Sequence, residues 1–320
     1  MTSRIIGTGS FLPKTVVTNE DLSGIMDTSD EWIRSRTGIR ERHLVKDETT
    51  VSMAAEAAKR ALEDAGIDAG ELDLIIVATV SGDDITPAAA CMVQARIGAG
   101  NATAFDINGA CSGFLFALQT VHAYIQAGMC KTALIIGAET LSKIMDWSDR
   151  STCVLFGDGA GAAIVRADET GLIAYDRGSD GSRGEVLAGR NRLNNNPLVT
   201  NDTSPAYVHM DGQEVYKFAV TAVPESIRRT LCRAGMTTEE IRYYILHQAN
   251  VRILQSVAKR LHVPEEKLPV SLDHCGNVSA ASIPILLDEI HKQGLLQEGD
   301  KIVLSGFGAG LTWGTVVLVW

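Results

Sequence analysis

At 320 residues, 45% hydrophobic and 21% charged, the chain has enough apolar surface for a sizeable core, as one large domain or two similar halves. A net charge of −10 and a pI near 5.2 argue against general nucleic-acid binding, while leaving room for a local basic mouth around an anionic ligand. Six scattered cysteines with no CxxC pair suggest neither a zinc site nor a disulfide framework, so the expectation is a reduced cytoplasmic protein with no metal.

The opening "MTSRIIGTGSFLP" lacks a basic region followed by an apolar stretch and a cleavage site. No run approaches the roughly 20 apolar residues that span a bilayer, and no membrane partner is expected. In "TSDEWIRSR", Thr28 or Ser29 can cap a helix whose first turn carries Asp30 and Glu31. Trp32 and Arg36, four residues apart, then share one face. A helix is expected over 51–65 with Gly66 as its stop. "LDLIIVATV" (72–80) reads as a strand buried on both faces.

Cys111 follows in "DINGACSGFLFAL", where Gly109 and Ala110 permit a tight turn before an apolar helix ending near Gly128. Further buried strands are expected at "KTALIIGAE" (131–139), "RYYILHQA" (242–249) and "DKIVLSGF" (300–307). Strands of this kind alternating with helices make an α/β layered fold.

The chain also repeats itself. "AGIDAGELDLIIVA" (65–78) matches "AGMTTEEIRYYILH" (234–247) at an offset of 169. "KTALIIGAE" meets "KIVLSGFGA" at 170, and "DINGACSG" meets "DHCGNVSA" at 167. Three segments in one order point to an internal duplication joined near 166–172, with a site in the crevice between the halves. The expected division is 1–170, carrying the cysteine, and 171–320, carrying His247 and Asn277.

A thiolate at a helix N-terminus is a useful acyl acceptor, because unpaired N–H groups and the dipole lower its pKa. On local pattern alone a buried structural cysteine remains the commoner reading of Cys111. His247 in "ILHQAN" and Asn277 in "CGNVSAAS" read equally as a satisfied histidine and a turn residue. Together the three offer a nucleophile and two neutral hydrogen-bond donors for a developing oxyanion. The order Cys, His, Asn also occurs in papain-like proteases, but those carry the cysteine near the mature N-terminus of a disulfide-bearing chain.

The residues resemble the thiolase superfamily and, within it, the β-ketoacyl-acyl carrier protein synthase III family. "IIGTGSFLP", "TSDEWIRSRTGIRERH" (28–43), "FGDGAGAA" (156–163), "LHQANVRI", "GNVSAAS" and "GFGAGLTWG" (306–314) carry the likeness nearly end to end. The resemblance implies duplicated βαβαβαββ halves in a five-layered αβαβα thiolase-like fold, normally a homodimer. It implies an acyl-CoA primer that acylates Cys111, then malonyl-acyl carrier protein that loses CO₂ and condenses with the thioester. No permanently bound cofactor is implied; acyl-CoA is a substrate.

His247 and Asn277 would stabilise the enolate, and the backbone N–H groups of Cys111 and Ala309 a second oxyanion. Trp32, Arg36, Arg150 and Asn250 would contact CoA, by indole stacking and guanidinium–phosphate pairing. An amphipathic helix with Trp32 inward and Arg36 outward fits that pattern equally. Lys217, Arg252, Lys259 and Arg260 would dock the acidic carrier protein; a solvated helix face is the plain alternative.

Thr86, in "GDDITPAAAC" (82–91), stands where some relatives carry a bulky Phe, and that loop would reach the partner's acyl pocket in the dimer. Val278 replaces the usual Thr, and Cys275 is an unusual, oxidisable residue two positions before Asn277. Two alternatives share the fold: a condensing enzyme or acyl transferase of specialised metabolism, and a catalytically silent binding subunit, which the intact triad argues against.

Overall fold

The computed structural model describes residues 1–190, 197–199 and 207–320. Two sheets carry the architecture. The first contains β1 (Thr2–Phe11), β2 (Leu74–Ala78), β3 (Thr103–Ile107), β4 (Thr132–Thr140) and β5 (Asp158–Asp168), in the spatial order β1-β5-β4-β2-β3. The second contains β6 (Leu172–Ser179), β7 (Tyr243–Leu246), β8 (Lys301–Gly308) and β9 (Thr312–Val319), in the order β7-β8-β9-β6. The second order, read from β6, is the first without its β3 edge. The first sheet pairs β2 in parallel with both β3 and β4, the second pairs β7 in parallel with β8, and in each the parallel part meets antiparallel strands.

The α-helices of eight residues or more among the described residues are α1 (Asp30–Thr37), α2 (Thr50–Ala65), α3 (Ala89–Ile97), α4 (Gly113–Gln126), α5 (Gly212–Ala234), α6 (Val251–Leu261) and α7 (Ser282–Lys292). Sequence dictates their layering. In β2, successive side chains alternate between faces. Leu74 and Ile76 join a central core with Phe114, Leu115 and Leu118 of α4 and with Ile283, Leu286 and Leu287 of α7. Ile75 and Val77 face the opposite way, onto α2 and α3. On the outer side of the second sheet, Val303 and Val317 meet α5 and α6. The result is a five-layered thiolase-like fold, with α4 and α7 sandwiched between the sheets.

Helix ends follow local chemistry. Thr49 and Ser52 form a capping box at the start of α2, and Gly66 ends it in the left-handed region at φ 64°. Ser29, rather than Thr28, caps α1 by accepting from the Trp32 N–H. The four expected strands all form, each trimmed or shifted by a residue or more at its ends.

An internal offset of 169 holds at the β2–β4 and β7–β8 pairings and at the two short turns, where it revises the 167 and 170 read from letters. Leu74 pairs with Ala133 as Tyr243 pairs with Ile302. The short turns Ala110–Ser112 and Ser279–Ala281, which lead into α4 and α7, stand at the same spacing. Ala110 and Ser279 share an unusual backbone, φ 45° and 47°.

Candidate active site

Each short turn rests on the central strand of the opposite sheet, and glycine makes the approach possible. A Cβ on Gly308 of β8 would fall 2.7 Å from the Cys111 nitrogen, and one on Gly137 of β4 would fall 2.2 Å from the Ala280 carbonyl oxygen. A Cβ on Gly306 would lie 3.4 Å from the His247 Cβ. Gly306 and Gly308 are two apart on one face of β8, about 7 Å along the strand. One strand face therefore seats both the thiol-bearing turn and the imidazole. His247 follows directly on β7, and its N–H donates to the Ser305 carbonyl of β8 at 2.9 Å.

Asn277 is held from both sides: its N–H donates to Leu155 and its carbonyl accepts from Gly157. Its Oδ1 accepts from the Ser279 N–H at 2.9 Å, which points the carboxamide back toward the turn that faces Cys111. The Ser279 hydroxyl lies near the Cys111 thiol and favours its ionised form. Strain at Ser279, a non-glycine residue in the left-handed region, accompanies this contact. Ser279 escaped the sequence reading; the 169 offset, which places it opposite Ala110, was the signal that could have found it.

Electrostatics depart from expectation at the nucleophile. Cys111 is 8% exposed, and burial pushes its thiol up to about 12, against the Ser279 hydroxyl that lowers it. Burial favours the thiol over a standing thiolate in the unliganded site. His247 behaves as expected of a neutral donor: burial pulls it down to about 3. Its Nδ1 is buried without a partner, and an unpaired N–H there would cost more than an unpaired lone pair. The proton belongs on Nε2. The ring stands edge-to-face against Phe307 at 5.4 Å. Glu139, fully buried under the site, is raised by burial while Ser81, Val80 and Thr79 donate to it.

A cavity of about 1090 Å³ opens at Cys111. Its wall includes Ala309 and Ser279, the apolar side chains Leu141, Ile144, Met145 and Phe156, and Thr86 with Ile85 at the exposed loop. Cys111 is the one triad residue on that wall; His247 and Asn277, at 2% and 6% exposure, are covered. Among the described residues, neither the Cys111 nor the Ala309 N–H donates to a backbone carbonyl.

Four further residues converge around α1. The guanidinium carbons of Arg36 and Arg150 lie 4.7 and 5.0 Å from the Trp32 ring centroid. Asn250 caps α6 and donates to the Arg36 carbonyl at 3.0 Å, while Arg252 donates to the Ser35 carbonyl at 2.7 Å. These two residues tie α6 to the C-terminal end of α1. Lys259 and Arg260 are exposed on α6, whereas Lys217, on α5, is paired with Glu214 at 2.7 Å. Cys275, expected as an oxidisable thiol, is 2% exposed, and Val278 packs with it, Ala281 and Ile285.

Comparison with known proteins decides the family. The profile of 3-oxoacyl-[acyl-carrier-protein] synthase III matches residues 105–181, and that of its C-terminal region matches 231–320. The chain is 51% identical over 318 residues to the beta-ketoacyl-[acyl-carrier-protein] synthase III of Clostridium acetobutylicum, covering 99% of this chain and 98% of that one. The chain belongs to the 3-oxoacyl-[acyl-carrier-protein] synthase III family. Its structure superimposes on the synthase III of Aquifex aeolicus VF5 with a TM-score of 0.94 at 46% identity, covering 99% and 100% of the two chains. The priming β-ketosynthase of the R1128 polyketide pathway matches at 0.94 and 34% identity, covering 99% and 96%. The chain is thus a condensing acyltransferase. No helix among its described residues is long and apolar enough to cross a membrane.

Proposed function

We propose that this synthase III initiates type II fatty-acid synthesis by joining an acyl group from acyl-CoA to malonyl-acyl carrier protein, through an acyl thioester on Cys111. The observation that carries the reading is the seating of a thiol turn and a neutral imidazole on one face of β8, with the thiol opening onto a cavity partly walled by Leu141, Ile144, Met145 and Phe156 and the imidazole covered behind it. The cavity walls suit an acyl chain, and Thr86 at the loop leaves room for primers longer than acetyl. Identity of 46–51% to beta-ketoacyl-[acyl-carrier-protein] synthases III, against 34% to the polyketide priming enzyme, favours the fatty-acid pathway.

In the first half-reaction the Cys111 sulfur attacks the acyl carbonyl, and the N–H groups of Cys111 and Ala309 receive the developing oxyanion. The thiol proton departs with CoA as its free thiol. In the second, malonyl thioester loses CO₂. The enolate oxygen accepts from His247 Nε2–H and the Asn277 amide, and the carbanion attacks the acyl-Cys111 carbonyl; the C–S bond breaks, β-ketoacyl-carrier protein leaves, and the Cys111 thiolate takes a proton from water. A neutral imidazole suits this role, because a charged one would over-stabilise the enolate against attack.

Trp32, Arg36 and Arg150 form the CoA-binding face beside Asn250, and Arg252, Lys259, Arg260 and Lys217 the carrier-docking face. The exposed Ile85 beside Thr86 supports a homodimer that covers this loop. We read residues 1–170 and 171–320 as the two halves of the duplicated unit, in a cytoplasmic enzyme without a permanent cofactor.

The test separates the half-reactions. His247→Ala and Asn277→Ala each lower CO₂ release from malonyl-carrier protein by about 10²–10³-fold, the scale of one lost oxyanion donor, while Cys111 still acylates. Loss of acylation with CO₂ release intact would reverse these roles.

A further inference from the structure

Two residues before Asn277 lies a cluster that the reaction does not use. His274, Cys275 and Glu289 each offer one ligand atom, and these atoms lie within 4.8 Å of one another. His274 Nε2 is 2.9 Å from Glu289 Oε1, and Cys275 Sγ is 3.8 Å from the same oxygen. We propose that these three side chains form a binding site for a thiophilic divalent cation, best matched by Zn²⁺, which ties the Asn277 loop to α7.

Tetrahedral zinc with bonds of 2.0–2.3 Å holds its ligands about 3.3–3.6 Å apart, so the cluster closes on the ion with shifts of a few tenths of an ångström to about 1 Å. A nitrogen, a thiolate and a carboxylate oxygen make a borderline-soft donor set that favours zinc over Mg²⁺ or Ca²⁺. The second observation lies one residue back. His274 Nδ1 is 3.0 Å from Asp273 Oδ1, the carboxylate–histidine arrangement that orients a ligand ring, so that an ion bound at Nε2 would take the place of the proton now shared with Glu289. The His274 and Glu289 side chains keep 41% and 23% of their surface open, which gives an ion an entry path and a water the fourth position, while Cys275 anchors the inner side.

The position makes the ion consequential. Beyond Cys275 the chain runs through Gly276 to Asn277, and a Cβ on Gly157 would fall 2.3 Å from the Cys275 carbonyl oxygen. Glu289 lies on α7, the helix that begins directly after the Ser279–Ala281 turn. A bound ion therefore cross-links both ends of the segment that carries Asn277 and Ser279. The adjacent His-Cys pair and a glutamate 14 residues beyond Cys275 form no familiar spacing, which is why the sequence suggested no zinc site. Folding brings them together.

The test is independent of the condensing reaction. In a Cys111→Ala background, which removes the other thiol of the active site, chelator-treated protein is titrated with Co²⁺ and then with Zn²⁺. One equivalent of Co²⁺ is expected to give a thiolate-to-cobalt charge-transfer band that Zn²⁺ abolishes. Cys275→Ser removes the band and weakens Zn²⁺ at least tenfold. His274→Gln, at a half-exposed position that folding tolerates, weakens Zn²⁺ to the same degree. Asp273→Asn keeps the band and weakens Zn²⁺ by about 10–100-fold. No band in the parent, or a band that survives Cys275→Ser, overturns the proposal.

Discussion

An isolated cysteine thiol ionises near pH 8.5, so a few per cent is thiolate at neutrality. Cys111 begins from a worse position, because burial pushes it up to about 12. The nucleophile is therefore made when substrate arrives and the Cys111 and Ala309 N–H groups acquire an oxyanion to bind. His247, pulled down to about 3, has little affinity for the thiol proton and serves as a donor instead. Below its folded pKa Cys111 exposes a thiolate fraction that rises tenfold per pH unit. Alkylation of Cys111 by iodoacetamide in the unliganded enzyme is thus expected to climb tenfold per unit from pH 7 to 9 without levelling. A plateau below pH 8 in the pH–rate profile would show a standing thiolate and contradict this view.

Between elements, the decisive contacts are backbone against backbone. Gly308 lets β8 reach the Cys111 turn, and Gly137 lets β4 reach the second turn. Gly308→Ala forces the strand or the turn to move, because its Cβ would stand 2.7 Å from the Cys111 nitrogen and 3.1 Å from the Cys111 Cβ. Steady-state kinetics of this variant should show kcat down by about 10²-fold, the cost of misplacing a nucleophile by about an ångström, with little change in KM for acyl-CoA. An unchanged kcat would mean that the contact does not position the thiol.

Some of this geometry was legible in the sequence. The strand and helix runs declare themselves through apolar patterning, and Gly66 and Ser29 mark helix ends through their own chemistry. Three quantities were not legible. That the offset of 169, read from letters for one segment, also governs β4 with β8 and the two short turns is set by hydrogen-bond register. The burial of Cys111 depends on the opposite sheet closing over it. Ser279 looks like an ordinary serine until its φ of 47° and its thiol contact are seen. Asn250 and Arg252 gain a bracing role between α6 and α1 that no motif encodes.

Across the whole molecule, a net charge of −10 would repel an acidic carrier protein unless a local patch steers it. Lys259 and Arg260 lie exposed in the last turn of α6, where the helix C-terminus also favours cations. Replacing both with Glu should raise KM for malonyl-carrier protein about tenfold at low salt and flatten its salt dependence, leaving KM for acyl-CoA unchanged. Equal effects on both substrates would place the carrier elsewhere. In the proposed mechanism the two halves act as one device: one supplies the thiol, the other supplies the donors, and the cavity at Cys111 takes the acyl chain.

The central claim, that Cys111 carries the acyl group between two substrates, is tested most directly by intact mass spectrometry. The enzyme is mixed with a panel of acyl-CoAs from acetyl to branched and medium chains, and then with malonyl-carrier protein. The account predicts a single acyl adduct on Cys111 that disappears on the second addition as CO₂ and β-ketoacyl-carrier protein form. An adduct that persists after malonyl-carrier protein, or one that forms equally in Cys111→Ala, would contradict it.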